Sequence, residues 1–204
     1  MASGFVLSYW NLNEAASGGA RRIHALLDTL GRSAVLVQPG GHHPSFATVP
    51  YPTDFGRTKA GINWGRFNFH WPGTRRIAAG AIATHRPAVL VMTSMWAAPI
   101  AARFPDIPCL LDTHDVNALA IAERFGSGHP FARLVRRQEA RAADLATHIF
   151  CCSDQDRESF MELYGVESNR VSVVPNGVDV DAFPDRAPSG QPDAFWQQAF
   201  GEAT

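Results

Sequence analysis

The chain has 204 residues, a formal net charge of −1 and 46% hydrophobic residues, enough apolar material for one sizeable core. That composition excludes a disordered chain, and the near-zero charge argues against a protein that binds nucleic acid through its phosphates. No apolar stretch reaches the roughly 18 residues of a membrane span, and the N-terminus does not resemble a secretion signal. The three cysteines form no disulfide framework, so we expect a cytoplasmic protein.

Short apolar runs alternate with helical patterns from the start of the chain. Residues 4–9 form the first predicted strand, Gly18 and Gly19 open a helix that ends at Gly31, and residues 34–38 form a second strand. Both strands are almost wholly apolar, which is typical of strands buried on both faces of a parallel sheet. This β-α-β pattern therefore predicts a parallel sheet covered by helices.

Residues 40–72 break this regularity. They are rich in glycine and proline and carry seven large aromatic side chains. A loop of this length within a compact domain tends to be functional or mobile. Within it we expect one short strand at residues 49–51.

Regular patterns return after residue 72. The predicted helices lie at residues 74–85, 96–104 and 130–147, and a last one runs from a cap at Ser153 or Asp154 to Gly165. The predicted strands lie at residues 88–92, 109–112, 149–152 and 171–174. We therefore predict an α/β fold with a doubly wound parallel sheet, forming one Rossmann-like domain over residues 1–183.

Beyond that domain, residues 184–204 read as a linker followed by a short amphipathic tail. The linker is rich in proline, glycine and aspartate, and the tail carries Phe195, Trp196 and Phe200. We expect this tail to pack on its own domain or on a partner.

Polar groups follow several predicted strands, and ligands bind beyond the carboxyl ends of the strands in sheets of this kind. Gly18 and Gly19 stand at a helix start, where bare amides and the helix dipole favour a phosphate. The spacing is equally compatible with a simple strand-to-helix turn, because it matches neither the dinucleotide pattern nor the nucleoside-triphosphate loop.

A histidine follows another strand directly. His114 is expected to point into the crevice, where an imidazole can orient a hydroxyl or carry a proton. The alternative is a histidine that only ties down its loop. Asp112 and Asp115 flank it, but two carboxylates and one imidazole are too few to predict a metal site.

The last part of the predicted domain carries the most specific pattern. It contains Glu139 on a helix, Ala-Asp at 143–144, a strand that leads into Ser153, and Pro-Asn-Gly-Val-Asp at 175–179 followed by Phe183. This segment resembles the end of the N-terminal domain of family-4-like, retaining glycosyltransferases of the two-Rossmann-domain (GT-B) type. Residue types and spacings agree over about 45 positions, and the resemblance extends over nearly the whole chain, weakly between 40 and 72.

The resemblance implies roles for individual residues. Gly18 and Gly19 would lie near the donor diphosphate, and His114 would act in catalysis by contacting the transferred sugar or the acceptor hydroxyl. Asn176 and Gly177 would shape the turn that leads to a second domain, although such a pair also suits an ordinary turn. Glu139 would be a structural residue of its helix.

An acceptor surface is expected on the aromatic loop and beside His114. Aromatic rings stack on sugar faces or bind lipid-like groups, although half of these rings could instead fill the core beneath the loop. The residues that we assign to acceptor binding are Trp64, Phe67, Phe69, Trp71 and Asp115.

The resemblance implies the acceptor-binding N-terminal domain of a retaining, hexosyltransferase-like enzyme. The donor would be a nucleoside-diphosphate sugar and the acceptor a carbohydrate or glycolipid, with no metal or other cofactor needed. The donor-binding C-terminal Rossmann domain is not found in these 204 residues, so we expect an isolated chain that is inactive without that domain in cis or in trans. A peripheral contact of this domain with a membrane is compatible with such an acceptor.

Two other functions compete with this interpretation. A non-catalytic half-enzyme module could bind a carbohydrate or a protein partner without turnover. A small flavodoxin-like or receiver-type α/β domain has a similar architecture, but neither accounts for the signature from residue 175 to residue 183. A receiver would also need paired acidic residues after the first strand, where Asn11, Asn13 and Glu14 stand.

Overall fold

The computed structural model describes residues 4–13, 18–52, 69 and 71–177. In this part of the chain, one sheet of seven strands is accompanied by six α-helices. The strands are β1 (Phe5–Leu7), β2 (Val35–Pro39), β3 (Ala47–Tyr51), β4 (Leu90–Met92), β5 (Cys109–Asp112), β6 (His148–Cys151) and β7 (Val171–Val173). The helices are α1 (Gly18–Leu30), α2 (Pro72–His85), α3 (Ala98–Ala101), α4 (Asn117–Phe125), α5 (Pro130–Leu145) and α6 (Asp154–Tyr164).

The sheet is parallel throughout its described strands. Their order is β3-β2-β1-β4-β5-β6-β7, and each neighbouring pair runs parallel. The chain winds outward from β1 in one direction through β2 and β3, and then in the other direction from β4 to β7. This reversal at β1 and β4 is the topological switch point at which open α/β sheets form a crevice. The predicted doubly wound, Rossmann-like α/β fold is confirmed.

Side chains of the central strand alternate between two apolar layers. Val6 lies in a cluster with Ile23 and Leu27 of α1, whereas Phe5 and Leu7 belong to a larger cluster on the other face with α2, α3, α5 and α6. The three side chains of β1 are all fully buried. Both faces are therefore covered, as the wholly apolar strands predicted.

Predicted and observed elements agree closely in position. Every predicted strand is present, with its ends displaced by at most two residues, and the short strand expected inside the glycine-rich loop is β3, which pairs with β2 along its whole length. Gly31 and Gly165 follow α1 and α6 with φ of 77° and 65°, so both form the left-handed helix ends that were predicted.

Two parts of the prediction differ from the structure or lie outside it. The sequence did not predict α4, which fills the space between β5 and α5. The linker and tail at 184–204 lie outside the described residues. Among the helices that are described, none is both long and apolar enough to cross a bilayer.

Candidate functional site

The carboxyl ends of the strands bring the predicted polar groups to one edge of the sheet. Trp10 follows β1, Thr93 follows β4, His114 follows β5, Ser153 follows β6 and Asn176 follows β7. Because all of these strands are parallel, their loops emerge on the same side. This edge is the candidate site.

A cleft of about 880 Å³ opens at this edge and extends along α1. Its lining includes Gly18, Phe150 and the turn at 175–177. Gly18 is exposed, and among the described residues no atom lies within 4 Å of a Cβ built on it. Within that part of the chain, the predicted donor-loop residue at the amino end of α1 is therefore accessible to a ligand.

Arg22 joins three separate segments beside this cleft. Its guanidinium donates to both carboxylate oxygens of Asp112, with Nε 2.8 and 3.1 Å from the two oxygens and Nη2 2.7 Å from Oδ1. Nη1 donates to the carbonyl oxygen of Val174 and, at 3.5 Å, to Oδ1 of Asn176. Arg22 thereby connects α1, the end of β5 and the segment after β7.

The pair is largely shielded from water, with side-chain exposures of 9% for Arg22 and 3% for Asp112. Burial alone would lower the pKa of Arg22, but its hydrogen bonds to Asp112 and the charge of that carboxylate outweigh the burial and raise it. The arginine is therefore a fixed cation. Sequence reasoning missed it, although Arg22 stands one helical turn after Gly18 and so shares its face of α1.

His114 lies in a second, smaller cavity of about 100 Å³. Both of its ring nitrogens are buried, and neither has a hydrogen-bond partner in the described part of the chain. Burial lowers the pKa of His114, opposed by Asp112 and Asp115 and reinforced by Arg22. The imidazole is thus held neutral, and it can donate one hydrogen bond and accept another from a ligand.

The two glycines of the predicted donor loop have different surroundings. A Cβ on Gly19 would lie 2.2 Å from the Cη2 atom of Trp10, whereas Gly18 is open. The same indole lies against His114, with ring centroids 5.1 Å apart. Gly19 therefore lacks a side chain because Trp10 occupies that space, and His114 and Gly18 line different cavities.

The loop that carries His114 is anchored at its far end by Glu139. One carboxylate oxygen accepts the backbone N–H of Asn117 at 2.9 Å and its side-chain amide at 3.2 Å. The other accepts the backbone N–H of Ala118 at 2.9 Å and the hydroxyl of Tyr164 at 2.7 Å. Glu139 thus caps α4 from a different helix, in agreement with the structural role that was expected for it.

The residues predicted to bind the acceptor fall in different environments. Phe69 is fully buried in the core, with its ring centroid 5.5 Å from that of Tyr51, so it presents no ring face to an acceptor here. Trp71 is 44% exposed and Asp115 is exposed beside His114. Trp64 and Phe67 lie outside the described residues.

The predicted hinge residues border the cleft. Asn176 and Gly177 are exposed and belong to its lining. The side-chain oxygen of Asn176 accepts from Arg22 and, at 3.6 Å, from the thiol of Cys152. In the described part of the chain, no three His, Cys, Asp or Glu side chains are arranged to hold a metal ion.

Comparison with known proteins gives a family match and a partial relative. The sequence model of Glycosyltransferase Family 4 matches residues 16–182. A relative from Escherichia coli, UDP-Gal:alpha-D-GlcNAc-diphosphoundecaprenol alpha-1,3-galactosyltransferase, is 32% identical over 85 residues, which are 41% of this chain and 21% of that protein.

Solved structures agree in fold. Sucrose-phosphate synthase from Thermosynechococcus elongatus superposes with a TM-score of 0.65 at 11% identity, covering 98% of this chain and 52% of that one. The Anabaena protein HepE, solved with UDP and glucose, gives 0.62 at 14% identity, covering 96% and 49%. The chain therefore spans about half the length of these structures and about a fifth of the curated relative.

Proposed function

The chain belongs to glycosyltransferase family 4, and on that premise we propose that it is the acceptor-binding, N-terminal domain of a retaining glycosyltransferase. The observation that carries the proposal is the family match over residues 16–182, which covers all of the described strands except β1. The donor is a nucleoside-diphosphate sugar, and a second Rossmann domain, in cis or in trans, binds its nucleotide.

His114 is the residue we assign to the reacting groups. It follows β5 at the edge where ligands bind in such sheets, and its two buried nitrogens have no described protein partner. A neutral imidazole there would hydrogen-bond a hydroxyl of the transferred sugar or of the acceptor. This pairing would satisfy nitrogen atoms that the fold leaves unpaired.

The donor diphosphate would lie at the open amino end of α1. Gly18 offers bare backbone beside the cleft, and the helix dipole favours negative charge there. Arg22 is already paired with Asp112, so most of the charge that stabilises the leaving diphosphate must come from the second domain.

The names of the related proteins suggest the substrates to test first. The Escherichia coli relative is a UDP-galactose enzyme with a diphosphoundecaprenol-linked acceptor, and HepE was solved with UDP and glucose. We propose a UDP-hexose as donor and a carbohydrate or lipid-linked sugar as acceptor, with Asp115 and Trp71 at the acceptor side.

A lipid-linked acceptor calls for a contact with the membrane, and we assign that contact to the outer face of α5. Four exposed arginines project from this helix, and none forms an ion pair within the described residues. They are Arg133, Arg136, Arg137 and Arg141. Leu134, 42% exposed, stands on the same helix, and Phe125, 45% exposed, contacts His129 and Phe131 at the start of that helix. A basic face with protruding apolar groups is suited to an anionic bilayer surface.

His114→Ala tests the proposed function in the protein that includes the second domain. Transfer from UDP-galactose or UDP-glucose to the acceptor should fall by about 10²-fold or more, as expected for loss of a positioned acid–base group. The melting temperature should stay the same or rise, because neither nitrogen loses a partner.

His85→Ala, at the opposite edge of the sheet, is the matched control and should keep full activity. A parallel loss of activity and stability in His114→Ala would make the histidine structural. The 204-residue chain by itself should transfer no sugar, and turnover by that chain would contradict the proposed division of labour between two domains.

A further inference from the structure

The indole of Trp10 fills the space between the glycine turn and His114. Its ring lies 5.1 Å from the imidazole, centroid to centroid, and its Cη2 atom stands where a Cβ on Gly19 would be, at 2.2 Å. One side chain therefore contacts both of the groups that the proposed reaction needs to bring together.

The position of Trp10 divides the site into two unequal spaces. The cleft at Gly18 measures about 880 Å³ and the cavity at His114 about 100 Å³. Ligand sites usually measure roughly 300–1,000 Å³, so the cleft is large enough for a nucleotide sugar and the His114 cavity is too small for a hexose. With the indole in this position, the cavity beside the imidazole has no room for a hexose.

The same contact also leaves His114 in a costly state. Both imidazole nitrogens are buried without a partner among the described residues, and Trp10 is part of the wall that encloses them. Buried polar atoms without partners destabilise a fold unless a ligand satisfies them.

We propose that Trp10 determines which ligands reach His114, because its indole must leave the space between Gly19 and His114 before a sugar can contact the imidazole. In this proposal, the missing side chain of Gly19 leaves room for the indole when it lies against His114. The missing side chain of Gly18 lets a ligand approach the backbone. That the ligand is a sugar rests on the proposed function, whereas the closing of the site by Trp10 rests on the contacts alone.

The proposal is tested by titrating the imidazole of His114 by NMR in the 204-residue chain. Trp10→Ala removes the cover, and Gly19→Ala adds a methyl group where the indole lies. Both variants should raise the pKa of His114 toward its ordinary value, because burial is the largest of the causes that lower it. Gly18→Ala is the matched control, and its titration should coincide with that of the unmodified chain because its methyl meets no atom of the described residues.

The charges that face His114 stay the same in all three variants. They are Asp112, Asp115 and Arg22, with Glu139 lining the same cavity, so a change in pKa reports exposure. Trp10→Phe, which keeps a smaller ring, should give an intermediate value and decides the matter if Gly19→Ala fails to fold.

An unchanged pKa of His114 in Trp10→Ala would overturn the proposal, as would a Gly19→Ala chain that titrates like Gly18→Ala. The titration needs neither nucleotide nor acceptor. If the protein transferred no sugar, the titration would still test whether Trp10 covers His114. If the titration contradicted that cover, the proposed sugar transfer would not be affected.

Discussion

At the scale of single residues, Arg22 has the greatest structural effect in the described site. One guanidinium holds the first turns of α1, the last residue of β5 and the backbone that follows β7. The two charges are nearly buried, and a buried charge that loses its partner is far more costly than an exposed one. The pair should therefore behave as a unit in unfolding experiments.

A double-mutant cycle on this pair gives the first prediction. Arg22→Gln and Asp112→Asn should each lower the free energy of unfolding by about 3 kcal/mol, because each leaves one buried charge unpaired. The double variant should lose clearly less than the sum of the two, as measured by urea denaturation.

Arg21→Gln, which removes an exposed arginine from the adjacent position, is the control and should change stability by less than about 0.5 kcal/mol. Strict additivity in the double variant would show that Arg22 and Asp112 do not act as a pair.

Single residues also show where sequence reasoning ended. The spacing of strand and polar residue was sufficient to predict that His114 lies at the ligand-binding edge. It could not distinguish Gly18 from Gly19, because that difference depends on the orientation of the Trp10 side chain. It could not assign Phe69 to the core, because burial under a loop depends on the path of the whole loop.

At the scale of elements, α4 owes its position to a residue outside it. Only Ala118 of its nine residues is buried. The backbone amides of Asn117 and Ala118 donate to Glu139 of α5, which lies 22 and 21 residues after them, respectively. Helix prediction relies on local caps and on an apolar stripe. The apolar residues of α4 do recur at helical spacing, but the residue at its N-cap, Val116, makes no side-chain cap hydrogen bond. The start of α4 therefore lacks the local signal that marks the starts of α5 and α6.

The titration of Glu139 gives a prediction for α4. Burial raises the pKa of this carboxyl, although hydrogen bonds from Ala118, Tyr164 and Asn117 oppose the shift. The folded chain therefore binds the proton more tightly than the unfolded chain does. The stabilisation that comes from protonating Glu139 is fully present below the pKa that this carboxyl has in the unfolded chain. It is lost as the pH rises through the pKa that the carboxyl has in the folded chain.

The free energy of unfolding should consequently rise, relative to that of Glu139→Gln, as the pH falls from neutral toward 4.5, the ordinary value for this group. Glutamine cannot titrate, so the difference between the two proteins isolates the carboxyl. Glu158→Gln, at an exposed position on α6, is the matched control for the removal of one carboxyl group. A pH-independent difference between wild type and Glu139→Gln would refute this account of the cap.

At the scale of the whole molecule, the distribution of charge matters more than its sum. The net charge of −1 predicts no attraction to an anionic surface, yet the unpaired arginines of α5 lie together on one face. Electrostatic attraction acts within about 8–10 Å at physiological salt. The local basic face, and not the total, should therefore decide whether the protein binds an anionic bilayer.

Sedimentation with lipid vesicles tests this prediction. The chain should bind vesicles that contain phosphatidylglycerol and should not bind vesicles of phosphatidylcholine alone. Replacing Arg136 and Arg137 together by glutamine should weaken binding by about 2 kcal/mol, at about 1 kcal/mol per arginine, which is roughly 30-fold.

Replacing Arg75 and Arg76 of α2 by glutamine removes the same charge elsewhere and serves as the control. Equal weakening by the two double variants would place the contact somewhere other than α5. Binding that is insensitive to both would also rule out α5 as the contact, and a chain that binds neither kind of vesicle would reject the membrane contact.

Much of the architecture could be predicted because a parallel sheet leaves a strong local signal. Strands buried on both faces are wholly apolar, and glycines mark where α1 and α6 end. The positions of all described strands follow from these patterns. The Arg22 network and the cover over His114 could not, since both join side chains from segments that are distant in sequence.

The central position of β1 also affects how the chain folds during synthesis. Phe5 pairs with Val35 on one side and with Leu90 on the other, so the ribosome must add more than 80 further residues before the second neighbour exists. At about 5–20 residues per second, that interval is roughly 4–17 s. During this interval the apolar strand β1 has one edge unpaired. We therefore expect the nascent chain to depend on chaperones until β4 has been synthesised.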